Sequence, residues 1–388
     1  MSTIRSVPPL SLYVHFPWCE RKCPYCDFNS HQPGKTVDEN AYIDALLADL
    51  SSEGVRLDAA GGSRPIQSIF MGGGTPSLFS GPSIQRLMDG IRHQLTLVED
   101  CEITLEANPG TTDSARFKGF HAAGINRLSL GVQSLTPRHL STLGRIHSRD
   151  QALRAVEEAR AAGFDNINLD MMHGLPDQTL DESEADLAAA IALKPEHLSW
   201  YQLTIEPNTA FHRQPPVLPE DETLWEIQRQ GQQQLAAAGF RQYEVSAYTT
   251  PGRESRHNLN YWQFGDYLAI GAGAHGKLTD PATGAILRYW KTRQPDHYLR
   301  RIGNYVADQA TIDASELPFE FMMNALRLVS GVPASLFEQR TGQSLETLNP
   351  ALQKLRSQGL LMTDETRLAC TPEGFDFLNE VLGRFLGE

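Results

Sequence analysis

Three cysteines near the start of the chain stand at a spacing that suits a metal centre. Cys19, Cys23 and Cys26 form a C-x3-C-x2-C pattern, which supplies three thiolates to a centre that needs four ligands. A cubic iron–sulfur cluster held in this way keeps one iron open to an outside ligand, whereas structural zinc is closed by four protein ligands. The spacing therefore favours a reactive cluster. The alternative is a structural zinc site completed by His15 or His31.

The composition limits the kind of protein and its setting. The chain has 388 residues and a net charge of −13, with 34 Lys and Arg against 47 Asp and Glu. Its length predicts two or three domains, and its acidity argues against a nucleic-acid partner. Five cysteines, no apolar leader and no run of about 20 apolar residues predict a reduced, cytoplasmic protein without a transmembrane segment. Peripheral contact with a membrane stays open.

Short apolar or β-branched runs alternate with helical patterns along the first 205 residues. Six such runs are predicted to be strands, at residues 10–16, 68–72, 102–107, 127–132, 166–172 and 197–205. Helices are predicted between them, at residues 38–50, 82–95, 113–123, 151–162 and 181–193. Steady alternation of strand and helix predicts an α/β fold with a parallel sheet, and six units predict a partial (β/α)6 barrel. An open Rossmann sheet is the alternative.

Glycines, carboxylates and an amide follow four of these strands. Residues 72–76 read GGGTP, Glu106 opens the sequence EANP, Gln133 ends GVQ, and Asp170 stands shortly before His173. The carboxyl ends of parallel barrel strands share one face of the molecule, and active sites lie on that face. Each group alone is ordinary in a loop, but their common position after a three-cysteine loop predicts a functional site there.

The pattern changes after residue 205. A Pro-rich linker is predicted at residues 206–222, followed by a helix at 223–238 and a strand at 243–248. We therefore divide the chain into three regions: 1–205 as the barrel with the cysteine loop, 206–310 as a linker and accessory α/β segment, and 311–388 as a C-terminal domain.

The C-terminal region is mainly helical in pattern. Two helices, a hairpin around residues 360–371 and a last helix predict a smaller α+β domain that resembles a winged helix. Such domains often bind DNA. Residues 312–388 contain six basic and eleven acidic side chains, so packing or partner docking is favoured instead.

Several motifs resemble those of the radical S-adenosylmethionine (SAM) enzymes. The cysteine pattern with Tyr25 before its last cysteine, and GGGTP after the next strand, are typical of that superfamily. The stretches YVHFPWC, LEANPG, GVQS and NLDMMHGLP are similar to the oxygen-independent coproporphyrinogen III oxidase group. The resemblance covers residues 10–300 strongly. It implies a [4Fe-4S] cluster on Cys19, Cys23 and Cys26, with SAM chelating the open iron and accepting an electron at its sulfonium.

The resemblance also implies which residues contact SAM. Those around the methionyl group, the amine and the next loop would be Tyr13, Gly73, Gly74, Thr75 and Glu106. In the oxidase a second SAM lies beside the first, and its contacts would fall here on Tyr25, Gln133, Arg145 and Asp170. The same side chains can hold one SAM molecule, or can stabilise the open end of the barrel by hydrogen bonds to one another. The number of SAM molecules therefore stays open.

Two departures separate the chain from the oxidase. Phe28 stands where the oxidase has a further cysteine, and eighteen residues precede Cys19 where the oxidase has a long extension. In their place, residues 256–262 read RHNLNYW, which is similar to the H-N-x-x-Y-W signature of the heme chaperone branch of the same group. We therefore predict heme binding and delivery to an acceptor protein that the sequence does not identify. Oxidation of coproporphyrinogen III is the alternative function, and we expect it to be absent.

The heme ligand predicted from this signature is His257. An imidazole can ligate heme iron, and the neighbouring Tyr261 and Trp262 can stack on a porphyrin. The alternative is that His257 caps a helix while the aromatic pair packs in the core. His275 is the second histidine of interest, because the glycines of the strand-like stretch at residues 270–276 let a ligand approach closely.

Overall fold

A twelve-stranded mixed sheet dominates the protein, which a computed structural model describes over residues 7–34 and 36–386. Six consecutive strands of this sheet are parallel and lie in chain order. They are β1 (Leu10–Phe16), β2 (Ile66–Gly73), β3 (Leu97–Ala107), β4 (Arg127–Gln133), β5 (Ile167–His173) and β6 (His197–Gln202).

Helices connect the parallel strands and pack side by side. They are α1 (Glu39–Ala59), α2 (Gly81–Gln94), α3 (Ser114–Ala122), α4 (Pro137–Thr142), α5 (Arg149–Ala161) and α6 (Leu180–Ala192), with a 3-10 turn at Pro76–Leu78. A polar side chain at the start of five of them accepts a hydrogen bond from the first turn, which satisfies backbone N–H groups that have no partner inside the helix. These capping residues are Asp38, Ser80, Asp113, Ser148 and Thr179.

The predicted partial barrel is confirmed, and the Rossmann alternative is wrong. Strand order follows chain order from β1 to β6, whereas a Rossmann sheet reverses its order at a switch point. The strands fall at the predicted apolar runs because their side chains are buried on both faces of the sheet. In β1, for example, Leu12 and Val14 are fully buried, and so is Ser11, which points to the opposite face.

The segment after β6 begins with two helices and a hairpin. The helices are α7 (Ala210–Arg213) and α8 (Asp221–Ala237), and the hairpin strands are β7 (Arg241–Glu244) and β8 (Ala247–Thr249). Strand β8 pairs antiparallel with β6, so the hairpin extends one edge of the sheet.

The next part of the chain extends the opposite edge. It contains α9 (Arg256–Trp262), β9 (Asp266–Ile270), β10 (His275–Thr279), β11 (Ile286–Lys291), α10 (Pro295–Leu299) and β12 (Val306–Thr311). Strand β9 pairs parallel with β1, and β10 to β12 follow as antiparallel neighbours. The accessory segment therefore belongs to the same sheet as the barrel.

Three predictions for this segment are wrong in detail. The stretch at 206–222 contains α7 and packs on the cysteine loop, where the Phe211 N–H donates to the Pro24 carbonyl at 2.9 Å. The predicted strand at 243–248 includes the turn of the β7–β8 hairpin. Residues 270–276 contain the turn between β9 and β10 instead of one strand.

Residues from 312 onward form a small helical unit with a hairpin. Its helices are α11 (Leu317–Ala325), α12 (Ser335–Thr341), α13 (Ala351–Ser357), α14 (Pro372–Asp376) and α15 (Leu378–Gly383), with a 3-10 turn at Leu345–Leu348. Strands β13 (Val332–Pro333) and β14 (Arg367–Leu368) pair antiparallel, and a bridge joins Leu361 to Cys370. This is the predicted α+β arrangement that resembles a winged helix.

Two large hydrophobic cores lie in the described residues. One packs the helices against the outer face of the parallel strands, and the other centres on Phe321, Phe337 and Leu355 of the C-terminal unit. The second core also contains Phe264 and Ile286 from the accessory segment, so the boundary at residue 311 stays a prediction. No helix in the described part of the chain is long and apolar enough to cross a bilayer.

Candidate functional site

A cavity of about 470 Å³ opens at the carboxyl ends of the parallel strands. The three cysteines line it together with most of the residues predicted to contact SAM. These are Tyr25, Gly73, Gly74, Thr75, Glu106, Gln133, Arg145 and Asp170. The fold thus gathers at one place residues that run from Cys19 to Asp170 in the sequence. Most of them lie in the cysteine loop or at or near the end of a strand, and Arg145 comes from the loop between α4 and α5.

The cysteine loop, residues 17–31, closes on itself through backbone hydrogen bonds. The Cys19 N–H donates to the His31 carbonyl at 3.0 Å, and the His31 N–H donates to the Pro17 carbonyl at 2.7 Å. Within the loop, the Cys26 N–H donates to the Cys23 carbonyl at 3.2 Å. The three thiols are half-buried and line the cavity, so the loop presents all of them to one space.

Two neighbouring side chains donate hydrogen bonds to the thiols. The Thr75 hydroxyl lies 3.4 Å from Cys19 Sγ, and a guanidinium nitrogen of the buried Arg145 lies 3.6 Å from Cys23 Sγ. Burial raises the pKa of the Cys19 and Cys26 thiols, so these groups need a cation to become thiolates. Donors of this kind stabilise charged sulfur, as metal-bound thiolates require.

The two histidines considered as a fourth zinc ligand, His15 and His31, both form hydrogen bonds at or within the cysteine loop. His15 donates from Nε2 to the Asn29 carbonyl at 2.9 Å. Its Nδ1 forms a hydrogen bond with the Tyr13 hydroxyl, also at 2.9 Å. His31 Nε2 lies 3.2 Å from the side-chain oxygen of Asn29. Over the described residues, no three His, Cys, Asp or Glu side chains come close enough to hold a single metal ion. Three thiols without a fourth protein ligand fit an iron–sulfur cluster with one open iron.

The glycine-rich loop after β2 packs directly on the cysteine loop. The Thr75 N–H donates to the Trp18 carbonyl at 2.7 Å, and a Cβ on Gly74 would lie 2.5 Å from that carbonyl oxygen. Gly73 has φ +108°, and a Cβ there would lie 2.3 Å from the ring of His15. The resemblance implies that these glycines contact SAM, and both line the cavity. Their lack of a side chain also lets the loop after β2 pack closely on the cysteine loop and on His15.

Two carboxylates without a cationic partner lie under the cavity. Glu106 accepts a hydrogen bond from the Gly73 N–H at 3.0 Å, and Asp170 accepts from Ser129 at 3.0 Å and from Asn168 at 2.8 Å. Burial and the nearby Asp170 raise the pKa of Glu106 to about 8, and burial raises the pKa of Asp170. Neither forms an ion pair with a described residue. A buried acid pair of this kind is suited to bind an ammonium group.

The strand between these two acids, β4, ends in a strained residue. Gln133 has φ +69°, which is unusual for a residue with a side chain, and it accepts a hydrogen bond from the Tyr201 hydroxyl at 2.8 Å. Arg145 donates to the Gly131 carbonyl of the same strand end. These bonds fix both polar side chains toward the cavity.

Two predicted site residues lie outside the cavity lining. His257 is buried inside the barrel, where its ring stacks on Phe70 at 4.7 Å and meets Tyr261 edge-on at 4.4 Å. Tyr13 stacks beside them, 6.3 Å from His257. The cap of helix α9 is Ser255, so the alternative that His257 caps a helix is wrong. The alternative that Tyr261 and Trp262 pack in the interior agrees with the structure.

Sequence reasoning missed several polar residues of the cavity. Ser129, Ser199 and Tyr201 line it, and each points inward from a strand that was itself predicted. Residues two apart on a strand share a face, so Ser199 and Tyr201 follow from the register of β6. Counting alternate residues back from the strand ends would have found them.

Comparison with known proteins places this site in a family. Residues 13–189 match the radical SAM superfamily, and residues 312–377 match the HemN C-terminal domain. The chain is 50% identical to the heme chaperone HemW of Escherichia coli strain K12, over 98% of this chain and 99% of that protein. The chain belongs to the HemW family of radical SAM proteins.

Other relatives extend the comparison. The chain is 36% identical to the heme chaperone HemW of Bacillus subtilis, over 97% of this chain and 99% of that protein. It is also 36% identical to the mitochondrial radical S-adenosyl methionine domain-containing protein 1 of Mus musculus, over 96% and 86%. The crystal structure of the Escherichia coli coproporphyrinogen III oxidase HemN superposes with a TM-score of 0.81 at 22% identity, over 98% and 90%. This last similarity concerns the fold alone.

Proposed function

We propose that the protein binds heme and passes it to an acceptor protein, and that it carries a [4Fe-4S] cluster and SAM in the barrel cavity. The observation that carries this proposal is the 50% identity to a heme chaperone over nearly the whole of both chains. At this identity the sites of two relatives usually share their chemistry, and the cavity described above holds the residue types that the cofactors need.

Cys19, Cys23 and Cys26 would hold the cluster. Arg145 would neutralise part of its charge from one side, and Thr75 would donate a hydrogen bond from the other. The bound cluster supplies one-electron transfer to the SAM sulfonium. The chain orients both partners through the packing of the glycine-rich loop on the cysteine loop.

Glu106 and Asp170 would bind the cationic parts of SAM. A positive group in the cavity would favour ionisation of both acids and replace the cation that the described residues do not supply. Gln133 and Tyr201, on the two strands that flank Asp170, would donate or accept further hydrogen bonds. Whether one or two SAM molecules occupy the cavity depends on how these polar groups are shared.

Oxidation of coproporphyrinogen III is the second candidate function. The fold similarity to HemN favours it, but fold alone does not set the reaction. Phe28 lines the cavity mouth with 57% of its surface exposed, at the position where the oxidase group has a further cysteine. An apolar ring there cannot supply a thiol, so we expect no decarboxylation of the porphyrinogen.

The sequence predicts His257 as the heme ligand, and its surroundings in the structure argue against that role in this conformation. Its imidazole is 3% exposed and lies between Phe70 and Tyr261. Burial and the charge of Arg127 lower its pKa to about 3, which leaves the ring neutral. Ligation of heme by His257 would therefore require α9 to move and expose the ring.

A transfer assay tests the proposed function. We expect protein reconstituted anaerobically with about four irons per chain to bind about one hemin. It should pass this hemin to apomyoglobin faster than hemin dissociates from it spontaneously. The same preparation should leave coproporphyrinogen III unchanged in the presence of SAM and a reductant. The triple variant with alanine at the three cysteines is the control for iron content. Absence of hemin binding, or turnover of the porphyrinogen, would overturn the proposal.

A further inference from the structure

An exposed histidine and a tryptophan form a stacked pair beside the cysteine loop. His275 opens β10 and pairs with Trp290 of β11, so the two side chains point from the same face of the sheet. Their rings lie 6.1 Å apart with an angle of 24° between the planes. His275 is exposed, whereas Trp290 is half-buried. The indole therefore fixes the plane of an imidazole that solvent and ligands can reach.

The ring of His275 is free to act as a ligand. No residue in the described part of the chain hydrogen-bonds to it, in contrast to His15 and His31, whose rings are engaged in the cysteine loop. Partial burial and the charges of Arg293 and Arg288 lower its pKa, so its nitrogens carry a lone pair near neutral pH.

The pair is held against the cysteine loop by one amide. The side-chain NH2 group of Asn29 donates to the carbonyls of Ala272 and Arg293, each at 2.9 Å. The turn comes this close because Gly273 has φ +85° and no side chain, and a Cβ there would lie 2.1 Å from the Asn29 amide. Phe28, exposed at the cavity mouth, directly precedes Asn29.

The charges around the pair suit a planar anionic ligand. Arg293 is exposed and forms no ion pair with a described residue, whereas Arg288 is already paired with Glu320 at 2.6 Å. A chain with a net charge of −13 repels anions in general, so a free guanidinium beside an open imidazole is a local exception. Heme combines an iron that takes imidazole with two carboxylates that take guanidinium groups.

We propose that His275 ligates heme iron at the surface, that Trp290 positions its ring, and that Arg293 pairs with a heme propionate. This inference rests on the proposed function, because it names the place where the heme binds. An imidazole ligand stands perpendicular to the porphyrin, so the indole, which is parallel to the imidazole, meets the porphyrin edge-on. Heme would then lie next to the cysteine loop, without any need to open the barrel around His257.

Hemin titration of the full chain tests this assignment. We compare the wild type with His275→Ala, with His257→Phe, which keeps an aromatic ring in the buried stack, and with His93→Ala, an exposed histidine on α2, as the matched control. We expect His275→Ala to weaken hemin binding about tenfold or more and to shift the Soret band, and added imidazole to restore the band. His257→Phe and His93→Ala should bind as the wild type does.

Metal-free protoporphyrin IX separates ligation from contact. Its affinity should be unchanged in His275→Ala, because it has no iron to ligate, and reduced in Arg293→Gln, because the carboxylates remain. If His275→Ala keeps the wild-type affinity and spectrum for hemin, or if His257→Phe alone loses them, this assignment is wrong while the proposed function stands. If the wild type binds no hemin, the proposed function itself is wrong.

Discussion

Glu106 is the residue whose surroundings conflict most with its own charge. Its side chain is half-buried at the cavity, receives one hydrogen bond from the Gly73 N–H and lies near a second acid, Asp170. Such an arrangement costs stability in the absence of a ligand and becomes favourable when a cation arrives. Glu106 therefore lowers the stability of the ligand-free protein and raises its affinity for a positively charged group.

The variant Glu106→Gln should reveal how much stability the Glu106 carboxylate costs. The folded-state pKa of about 8 exceeds the unfolded value of 4.5, so the unfolded chain loses its proton first and wild-type stability falls as the pH rises from 4.5 to 8. The amide removes this dependence. At pH 8 we expect the SAM-free variant to be more stable than the wild type by on the order of 3 kcal/mol, and nearly equal at pH 4.5.

Urea unfolding at both pH values measures this difference. The variant should also lose any change that SAM produces in the electron paramagnetic resonance spectrum of the reduced cluster. If the free energy of unfolding differs between variant and wild type by the same amount at pH 4.5 and at pH 8, Glu106 is ionised in the folded protein and the prediction is wrong.

At the scale of elements, the parallel strands were predictable because both of their faces are buried. The runs at residues 10–16 and 127–132 are largely apolar, and both strands were found within one residue of their predicted bounds. Strand β3 instead begins at Leu97, five residues before its predicted start. The short strands at the sheet edges were not predictable in this way. Strand β12 is exposed along most of its length, and β8 has three residues, so neither gives a clear periodic signal.

The site was predictable where it rests on chain position and not where it rests on packing. Strand ends and cysteine spacing placed Glu106 and the three thiols correctly in one cavity. The depth of His257 depends on Phe70 and Tyr261, which are far from each other in sequence, so its burial could not be inferred from the local motif.

A buried charge network joins α1 to the accessory strands. Lys291 of β11 is fully buried and lies 2.5 Å from Asp49 and 2.6 Å from Glu53. The Tyr298 hydroxyl donates to Asp49 at 2.7 Å, and Tyr289 donates to Glu53. Glu53 also lies 3.5 Å from Arg56, whereas Asp49 has no other cationic partner among the described residues. Removal of Lys291 therefore leaves Asp49 without compensation.

We expect Lys291→Met to lower the free energy of unfolding by about 3 kcal/mol or more. Burial already raises the pKa of Asp49 to about 6, and without the lysine this acid must be protonated on folding, so the loss should be larger at pH 8 than at pH 5. The control is Arg86→Met, which breaks an exposed pair with Asp44 and should cost less than about 1 kcal/mol. Equal losses in the two variants by denaturant unfolding would contradict the prediction.

At the scale of the whole molecule, the C-terminal unit connects the two ends of the sheet. At one end, the Val329 N–H donates to the Tyr243 carbonyl at 3.0 Å, beside the bridge between Leu328 and Glu244. Near the other end, the Ile312 N–H donates to the Ile286 carbonyl at 2.9 Å. The unit therefore bears on strands that are distant from each other in the order of the sheet.

This connection predicts that the unit and the barrel unfold together. All five tryptophans precede residue 312, but Trp262 packs on the C-terminal core beside Arg327. We therefore measure every variant in a Trp262→Phe background, where the other four tryptophans report on the barrel and its accessory segment. Phe321→Ala, in the fully buried centre of the C-terminal core, should lower the fluorescence midpoint by the equivalent of about 3–5 kcal/mol. Phe377→Ala, at a side chain that is 55% exposed, is the control and should change it by less than about 0.5 kcal/mol. An unchanged midpoint in Phe321→Ala would mean that the two parts unfold independently.

The sheet ends at β7 and β12, and no ladder among the described residues joins these two strands. In a closed barrel, the number of strands and their stagger fix the circumference, so the bore is a property of the hydrogen-bond pattern. Here the C-terminal unit spans the two ends, with backbone hydrogen bonds to Tyr243 on one side and to Ile286 on the other. The width of the opening therefore depends on how that unit packs as well as on the pairing of the strands.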